Sequence, residues 1–293
     1  MENIIYFDSG TTNSRAYYIK DGIPTSSLSK KIGTINNVLS GDPNALLKGL
    51  KELYDALLAQ LCLCDCDIKS IYMSGMVTSK NGIYEVPYLH TPVDAFSYQA
   101  KATIHRFPLF ERDVHLLPGI VSLPNHNEIT LENIASVNNV RGEEIEMFGL
   151  ASNFPSYFQD KHTAVIMPGS HSHILYMQKN HITEITSCFG GELYSAITNH
   201  TILNASASAA PEDVQTQYVK KGYCMVQKYG VNRALYITRT MTLFLDAPQI
   251  VRDSYLEGVV NSGIITALTS NPRSSCLDYI VIAGSSVYYK IFS

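Results

Sequence analysis

The sequence predicts an α/β protein of two domains. Three observations carry this. At roughly 150 residues per domain, a chain of 293 residues suggests two. Short apolar runs ending in Gly- and hydroxyl-rich turns alternate with stretches of helical leucine spacing. The opening strand–turn–strand unit is echoed about 160 residues later, about one domain length.

Taken in order, Ile4-Ile5-Tyr6-Phe7 is an apolar run that ends in Asp8. Ser9 to Asn13 is turn chemistry, and Arg15 to Ile19 resumes β-type residues. Asp21-Gly22 signals a further hairpin. Asp42 as N-cap and Pro43 at the first helical position open a helix. Its Leu46, Leu47, Leu50, Leu53, Leu57, Leu58 and Leu61 recur at helical spacing. Ile68 to Met73 reads as a buried strand opening into Ser74-Gly75-Met76. Residues 116–140, rich in Pro, Asn and small residues, read as a loop to a domain border, giving domains of 1–140 and 141–293. Arg141-Gly142-Glu143-Glu144 opens a helix through Met147, Phe148 and Leu150. Thr163 to Met167 is a second apolar strand, turned by Pro168-Gly169-Ser170-His171-Ser172 into Ile174 to Met177. Asn204 to Pro211 is a small-residue loop, and Asp253 to Leu268 a helix. Tyr279 to Ala283 is a strand closing on Gly284-Ser285-Ser286.

Composition narrows the function classes. The chain is 45% hydrophobic and 16% charged, with net charge −4 and scattered Lys and Arg, so it lacks the basic footprint of a nucleic-acid binder. No apolar run reaches the ~18–20 residues of a membrane span. The first residues have neither a cationic region nor a cleavable apolar segment, so a cytoplasmic protein is expected. Six cysteines in so long a chain do not make a disulfide framework. Cys62, Cys64 and Cys66 alternate, which is not the usual Cys-x2-Cys spacing of zinc pairs. His171 and His173 are expected in a turn, not as a metal pair on a strand face. Neither a Walker A sequence nor Gly-x-Gly-x-x-Gly is present, which argues against P-loop and Rossmann sites.

Asp8 stands at a strand end beside a turn rich in N–H groups and hydroxyls. Two readings are open. One is a plain hairpin with a solvated acid; the other is a phosphate turn whose acid holds a hydrated Mg²⁺. The Pro168–Ser172 turn has the same donor-rich character without the acid. Glu143 and Glu144 sit at a helix start, where the helix dipole stabilises carboxylates. Gly190-Gly191-Glu192 follows a predicted strand, and Ala283-Gly284-Ser285-Ser286 offers small residues where a flat ligand could lie close.

Together these segments resemble the 2-dehydro-3-deoxygalactonokinase family, a branch of the actin-like ATPase and sugar-kinase superfamily. The matching blocks run in the family's order. They include Asp8-Ser9-Gly10-Thr11-Thr12-Asn13-Ser14-Arg15, Ser74 to Ser79, Glu85-Val86-Pro87-Tyr88, Leu117-Pro118-Gly119 and Arg141 to Glu144. Phe148-Gly149, Pro168 to Ser172, Gly191-Glu192-Leu193, Thr238-Arg239, Tyr255 to Gly258 and Ala283-Gly284-Ser285 complete the set.

The resemblance implies two RNase-H-like lobes with a cleft between them. It implies ATP- and Mg²⁺-dependent phosphorylation of the C6 hydroxyl of 2-dehydro-3-deoxy-D-galactonate in galactonate breakdown. By that pattern Gly10, Thr11, Thr12 and Asn13 form the first phosphate motif, and Gly169, Ser170 and His171 the second. Gly284 and Ser285 belong to the adenosine motif. Asp8 is expected to carry the metal, Glu143 to act as general base, and Arg141 to hold the transferring phosphate or orient the acid. Arg15, Gly75, Met76, Ser79 and Glu192 are the expected sugar-acid contacts.

The expected partners are a small sugar acid and ATP, with no nucleic acid or membrane, and a homodimer as an open option. The sequence departs from the pattern at His173, usually Lys, at Ser9, usually aromatic, and after Gly258. The second domain is also expected to end short, leaving apolar surface exposed. Two alternatives stand beside the kinase: a nucleotide-binding protein of this fold with lost or altered transfer, and a kinase for the epimeric 2-dehydro-3-deoxygluconate.

Overall fold

The computed structural model describes residues 2–123 and 128–293. The chain divides into two compact units, residues 1–155 with 180–182, and residues 156–179 with 183–293.

The first unit opens with β1 (Asn3–Ser9), β2 (Ser14–Lys20) and β3 (Ile23–Lys30), followed by α1 (Thr34–Ser40), α2 (Ala45–Leu61) and β4 (Ser70–Gly75). Then come β5 (Leu89–His90), α3 (Ala95–Gln99), β6 (Thr103–Phe107), β7 (Arg112–Leu116), β8 (Ile120–Ser122), β9 (Asn138–Val140) and α4 (Glu143–Asn153). The main sheet runs β3-β2-β1-β4-β7-β6. β1, β2 and β3 are antiparallel neighbours, whereas β4 is parallel to β1 and β7 to β4. This is the RNase-H-like strand order. Ile5 and Phe7, two apart on β1, share one buried face with the Leu46, Leu50, Leu53 and Leu57 stripe of α2.

The second unit contains β10 (His162–Met167), β11 (His171–Gln178), most of β12 (His181–Phe189), α5 (Gly191–His200), α6 (Thr216–Tyr229) and α7 (Val231–Phe244). It ends with α8 (Gln249–Ser270), β13 (Tyr279–Ile282) and α9 (Ser286–Phe292). Its sheet runs β12-β11-β10-β13, with β13 parallel to β10, repeating the first four strands of the same order. Ile264 and Leu268 of α8 pack on Ala164, Ile166, Ile174 and Tyr176 of the sheet. No helix among the described residues is long and apolar enough to cross a membrane.

Several expectations are corrected. The first unit runs to Pro155, not 140, because the Arg141 and Glu144 side chains bond within it. Residues 116–140 contain β8 and β9, paired antiparallel, in place of a plain loop; residues 124–127 lie outside the described residues. Asp42 bonds the Asn44 N–H at 2.9 Å, so it braces the turn before α2 and does not cap the helix itself. β11 begins at His171, so His171 and His173 lie on a strand. There His171 faces Glu192, and His173 is buried against Ser187. The sulfurs of Cys64 and Cys66 are joined in a disulfide, because the short turn at Asp65–Asp67 brings their Cα atoms to 5.4 Å. Near the chain's end, Ile291 of α9 packs beside Val214 and Val219, and Tyr279 and Ile280 of β13 are exposed.

Candidate active site

In the first unit the site grows from the β1–β2 turn. Asp8 pairs across to Arg15 on β2 and lies level with Ser74 on β4. Beneath the turn, Ser9 donates to Ser14 Oγ at 2.7 Å, and Ser14 donates to the Ile32 carbonyl at 2.8 Å. The Gly10 and Thr11 carbonyls accept the Thr34 and Ile35 N–H groups at the start of α1. Gly33 is required there, since a Cβ would stand 2.3 Å from the Thr11 oxygen. The turn is thus braced from below while Thr11, Thr12 and Asn13 stay exposed.

Three carboxyls gather beside this turn. Burial pushes the Asp8 carboxyl up from its usual value; Arg15 pulls it back, and Glu143 adds to the rise. Burial also raises Glu146, with further pushes from Asp8 and Glu143 and a pull from Arg15. Glu143 is half-buried, and its Oε2 accepts the Arg141 N–H at 3.1 Å. Glu144 turns the other way. It is fully buried, accepts the Gly142 N–H at 2.9 and 2.8 Å, and meets the Tyr98 hydroxyl at 3.0 Å. Burial pushes its carboxyl up to about 7.

The Arg141 guanidinium is committed to the protein. It donates to Thr78 O and Oγ1 at 2.8 and 2.7 Å and to Val86 O at 2.9 Å, and lies 4.1 Å over the Tyr88 ring. It therefore ties the start of α4 to the loop after β4. That loop turns at Gly75, whose positive φ of 86° and close approach to Ser9 O leave no room for a side chain. Met76 to Thr78 then form a short 3₁₀ turn that Ser79 closes on Met76 O at 2.7 Å.

Sequence reasoning missed Tyr6, Tyr98 and Glu146. Tyr6, two residues before Asp8 on the same strand face, meets Ser74 Oγ at 2.6 Å. Glu146 lies one turn beyond Glu143, a spacing that could have flagged it. Nothing local marks Tyr98.

In the second unit the Pro168–Ser170 turn seats on the start of α5. The Gly191 N–H donates to Gly169 O at 2.8 Å, and those of Gly190 and Glu192 donate to Ser170 O at 3.2 and 3.0 Å. A Cβ on Gly190 would stand 2.2 Å from Ser172 Oγ. Ser170 and His171 face outward, and His171 Nε2 meets Glu192 Oε2 at 2.7 Å. Gly284 packs against Pro168, where a Cβ would find ring carbons at 3.3 Å. Next to this contact opens a cavity of about 220 Å³, lined among others by Gly191, Tyr194, Pro211, Glu257, Ser285 and Tyr288. Gly169, Ser170, Gly284 and Ser285 thus belong to one neighbourhood of the second unit.

The model of the protein family described as 2-keto-3-deoxy-galactonokinase matches residues 8–290. The chain belongs to this family. A curated relative, assigned as a 2-dehydro-3-deoxygalactonokinase of Rhizobium meliloti (strain 1021), is 27% identical over 140 residues. That match takes in 48% of this chain and 41% of the relative, so the chain spans about two fifths of the curated protein it matches. A crystal structure assigned to a 2-dehydro-3-deoxygalactonokinase protein of Sinorhizobium meliloti superposes with TM-score 0.75 at 20% identity. It covers 99% of this chain and 90% of that one, and the two share a fold. The 2-keto-3-deoxy-galactonokinase match begins at Asp8 and runs past Ser285, so it takes in both turns and the start of α4.

Proposed function

We propose that the chain is a carbohydrate kinase transferring the γ-phosphoryl group of ATP, with Mg²⁺, to the C6 hydroxyl of 2-dehydro-3-deoxy-D-galactonate in cytoplasmic galactonate breakdown. The observation that carries this reading is the approach of the Asp8 strand end to the start of α4, where Gly75, level with Ser9, lies against Gly142, beside an exposed hydroxyl turn. A strand-end acid and a helix-start acid, far apart in the chain, are brought together. One carboxylate suits a hydrated cation and the other suits a proton.

The residues present fit both cofactors. The half-buried Asp8 carboxylate, with the exposed Glu146 near it, would be stabilised by a cation, and Mg²⁺ bound there would neutralise phosphate charge. In the second unit, the buried Tyr194 hydroxyl has no partner among the described residues, in a cavity beside the Gly169 turn.

Thr11, Thr12 and Asn13 hydrogen-bond phosphate oxygens in this reading, as do Gly169, Ser170 and His171. Glu192 orients the His171 ring. The Arg15 fork matches the sugar-acid carboxylate, and Gly75, Met76 and Ser79 shape its surroundings. Glu143 takes the proton leaving the C6 hydroxyl as the new O–P bond forms and the bond to ADP breaks. Arg141 is a positioning residue that holds the Ser74–Ser79 loop.

One observation favours a second reading, nucleotide binding without this transfer. Where the family pattern has Lys, His173 is buried and bonded to Ser187 at 3.0 Å. A coupled ADP-release assay tests both, run with the galactonate-derived acid, with its gluconate-derived epimer and with neither. Turnover stimulated by the first acid supports the proposal. Stimulation by the epimer alone reassigns the substrate. ATP binding with no stimulation favours the second reading.

A further inference from the structure

The cavity in the second unit has an unusual floor. Glu257 of α8 is 8% exposed, and its Oε2 accepts Asn261 Nδ2 at 2.7 Å. That amide nitrogen also donates to the Glu257 carbonyl at 3.0 Å, so both its protons are used. Beside them, the Tyr194 hydroxyl is buried and unpartnered among the described residues. All three residues line the same cavity.

Their placement is fixed by the backbone. Gly258 and Gly222 bring α8 and α6 into main-chain contact, where a Cβ on Gly258 would stand 1.9 Å from the Val219 oxygen. Asp253, one turn before Glu257, accepts Ser208 N–H and Oγ at 2.8 and 2.6 Å. This pins the small-residue loop that supplies Pro211 to the wall. Asp253 is therefore well served by donors, whereas Glu257 has one hydrogen-bond donor among the described residues and lines the cavity. A buried carboxyl with spare acceptor capacity calls for donors from a ligand.

We infer that Glu257, positioned by Asn261 and flanked by Tyr194, binds the 2′- and 3′-hydroxyls of the nucleotide ribose and makes the protein select ribonucleotides. This deepens the nucleotide reading above and rests on it. The open groups of the floor are mostly acceptors. The adenine edge offers one amino donor next to a ring acceptor, a poor match. A ribose cis-diol offers two adjacent O–H donors. The cavity also adjoins the second turn through the Gly191 N–H to Gly169 O bond, so phosphates at that turn would leave the sugar at Gly191.

Titration calorimetry on the full chain with ATP, 2′-deoxy-ATP, 3′-deoxy-ATP and GTP tests this, with Glu257→Gln and Tyr194→Phe as variants. The wild type should bind ATP at least ~10-fold more tightly than either deoxy analogue, the worth of a hydrogen bond to a charged group. Glu257→Gln should erase that preference, and Tyr194→Phe should reduce it. If the Gln variant does not fold, the wild-type analogue series decides by itself. Equal binding of ATP and both deoxy analogues overturns the inference and leaves the kinase reading standing. A changed ATP-to-GTP ratio with the deoxy preference intact also overturns it, placing Glu257 on the base. Failure to bind any of the four nucleotides removes the kinase reading and this inference together.

Discussion

The Tyr98 hydroxyl lies 3.0 Å from Glu144 Oε1, and the same hydroxyl donates to the Pro118 carbonyl at 2.9 Å. A phenol has one proton, so it cannot donate to both. When Glu144 is protonated, it donates to Tyr98 and Tyr98 donates to Pro118, and every group is served. When Glu144 ionises, the single phenol proton must leave either the Pro118 carbonyl or the side of the carboxylate that faces Tyr98 without it, in a fully buried place.

Stability should therefore fall with rising pH. The Glu144 carboxyl is pushed from 4.5 up to about 7, chiefly by burial. The folded state then binds more protons than the unfolded state between those values. Its contribution is fully present below about 4.5 and is lost as pH rises through about 7, a change on the order of 3 kcal/mol. Glu257, also raised to about 7 by burial, acts with the same sign. Glu144→Gln mimics the protonated acid. It should match wild-type stability near pH 5 and exceed it near pH 8. Urea melts at the two pH values check this, and a variant weaker at pH 8 than at pH 5 relative to wild type would count against it.

Arg141 distinguishes anchoring from phosphate contact. Arg141→Lys loses the fork to Thr78 and Val86 and the stacking on Tyr88. We expect a loss of ~2–3 kcal/mol of stability and a raised KM for the sugar acid, with kcat within a few-fold. A normal melting temperature with a collapsed kcat would instead put the guanidinium on the transferring phosphate.

Much of the fold was legible because it follows from short-range pattern. β1, β2, β4 and β10 are apolar runs bounded by turn residues, and the leucines of α2 keep strict helical spacing. α6 and α7 were not legible. α6 fully buries only Val219 and Gly222, since its contact with α8 is made by glycine backbones and its Met225 and Val226 are only partly buried. At the site, Asp8 and Glu143 could be picked from their places at a strand end and a helix start. The commitment of Arg141 to Thr78 and Val86, and the burial of Glu144 under Tyr98, depend on partners distant in sequence. No local pattern encodes them.

Asp8→Asn should lower turnover at least ~100-fold, because charge stabilisation through a metal is worth several kcal/mol. Arg15, its cross-strand neighbour, would then lose a charge partner, so binding of the sugar acid should change little or tighten. Steady-state rates across a Mg²⁺ series check this. A near wild-type rate at saturating Mg²⁺ would remove Asp8 from the metal site.

Glu143 and Glu144 offer the sharpest test of the proposed base. Consecutive helical residues point about 100° apart, so the two cannot face the same way. Glu144 is held inward by the Gly142 N–H and Tyr98, whereas Glu143 is half-buried and acts electrostatically on Asp8. Its Oε2 accepts the Arg141 main-chain N–H, which helps to orient the acid. A loose phosphoryl-transfer transition state draws the hydroxyl proton off late, so the base need not be strong. Glu143→Gln should lose roughly 10²–10⁴-fold in kcat while KM for ATP holds. Glu144→Gln should stay within a few-fold. Glu146→Gln separates metal support from proton transfer: it should shift the Mg²⁺ dependence and leave kcat at saturating Mg²⁺ within about tenfold, since Glu146 shares Asp8 as a neighbour. If Glu146→Gln matches the loss of Glu143→Gln at saturating Mg²⁺, the proton acceptor lies one helical turn further along α4 and Glu143 belongs to the metal instead.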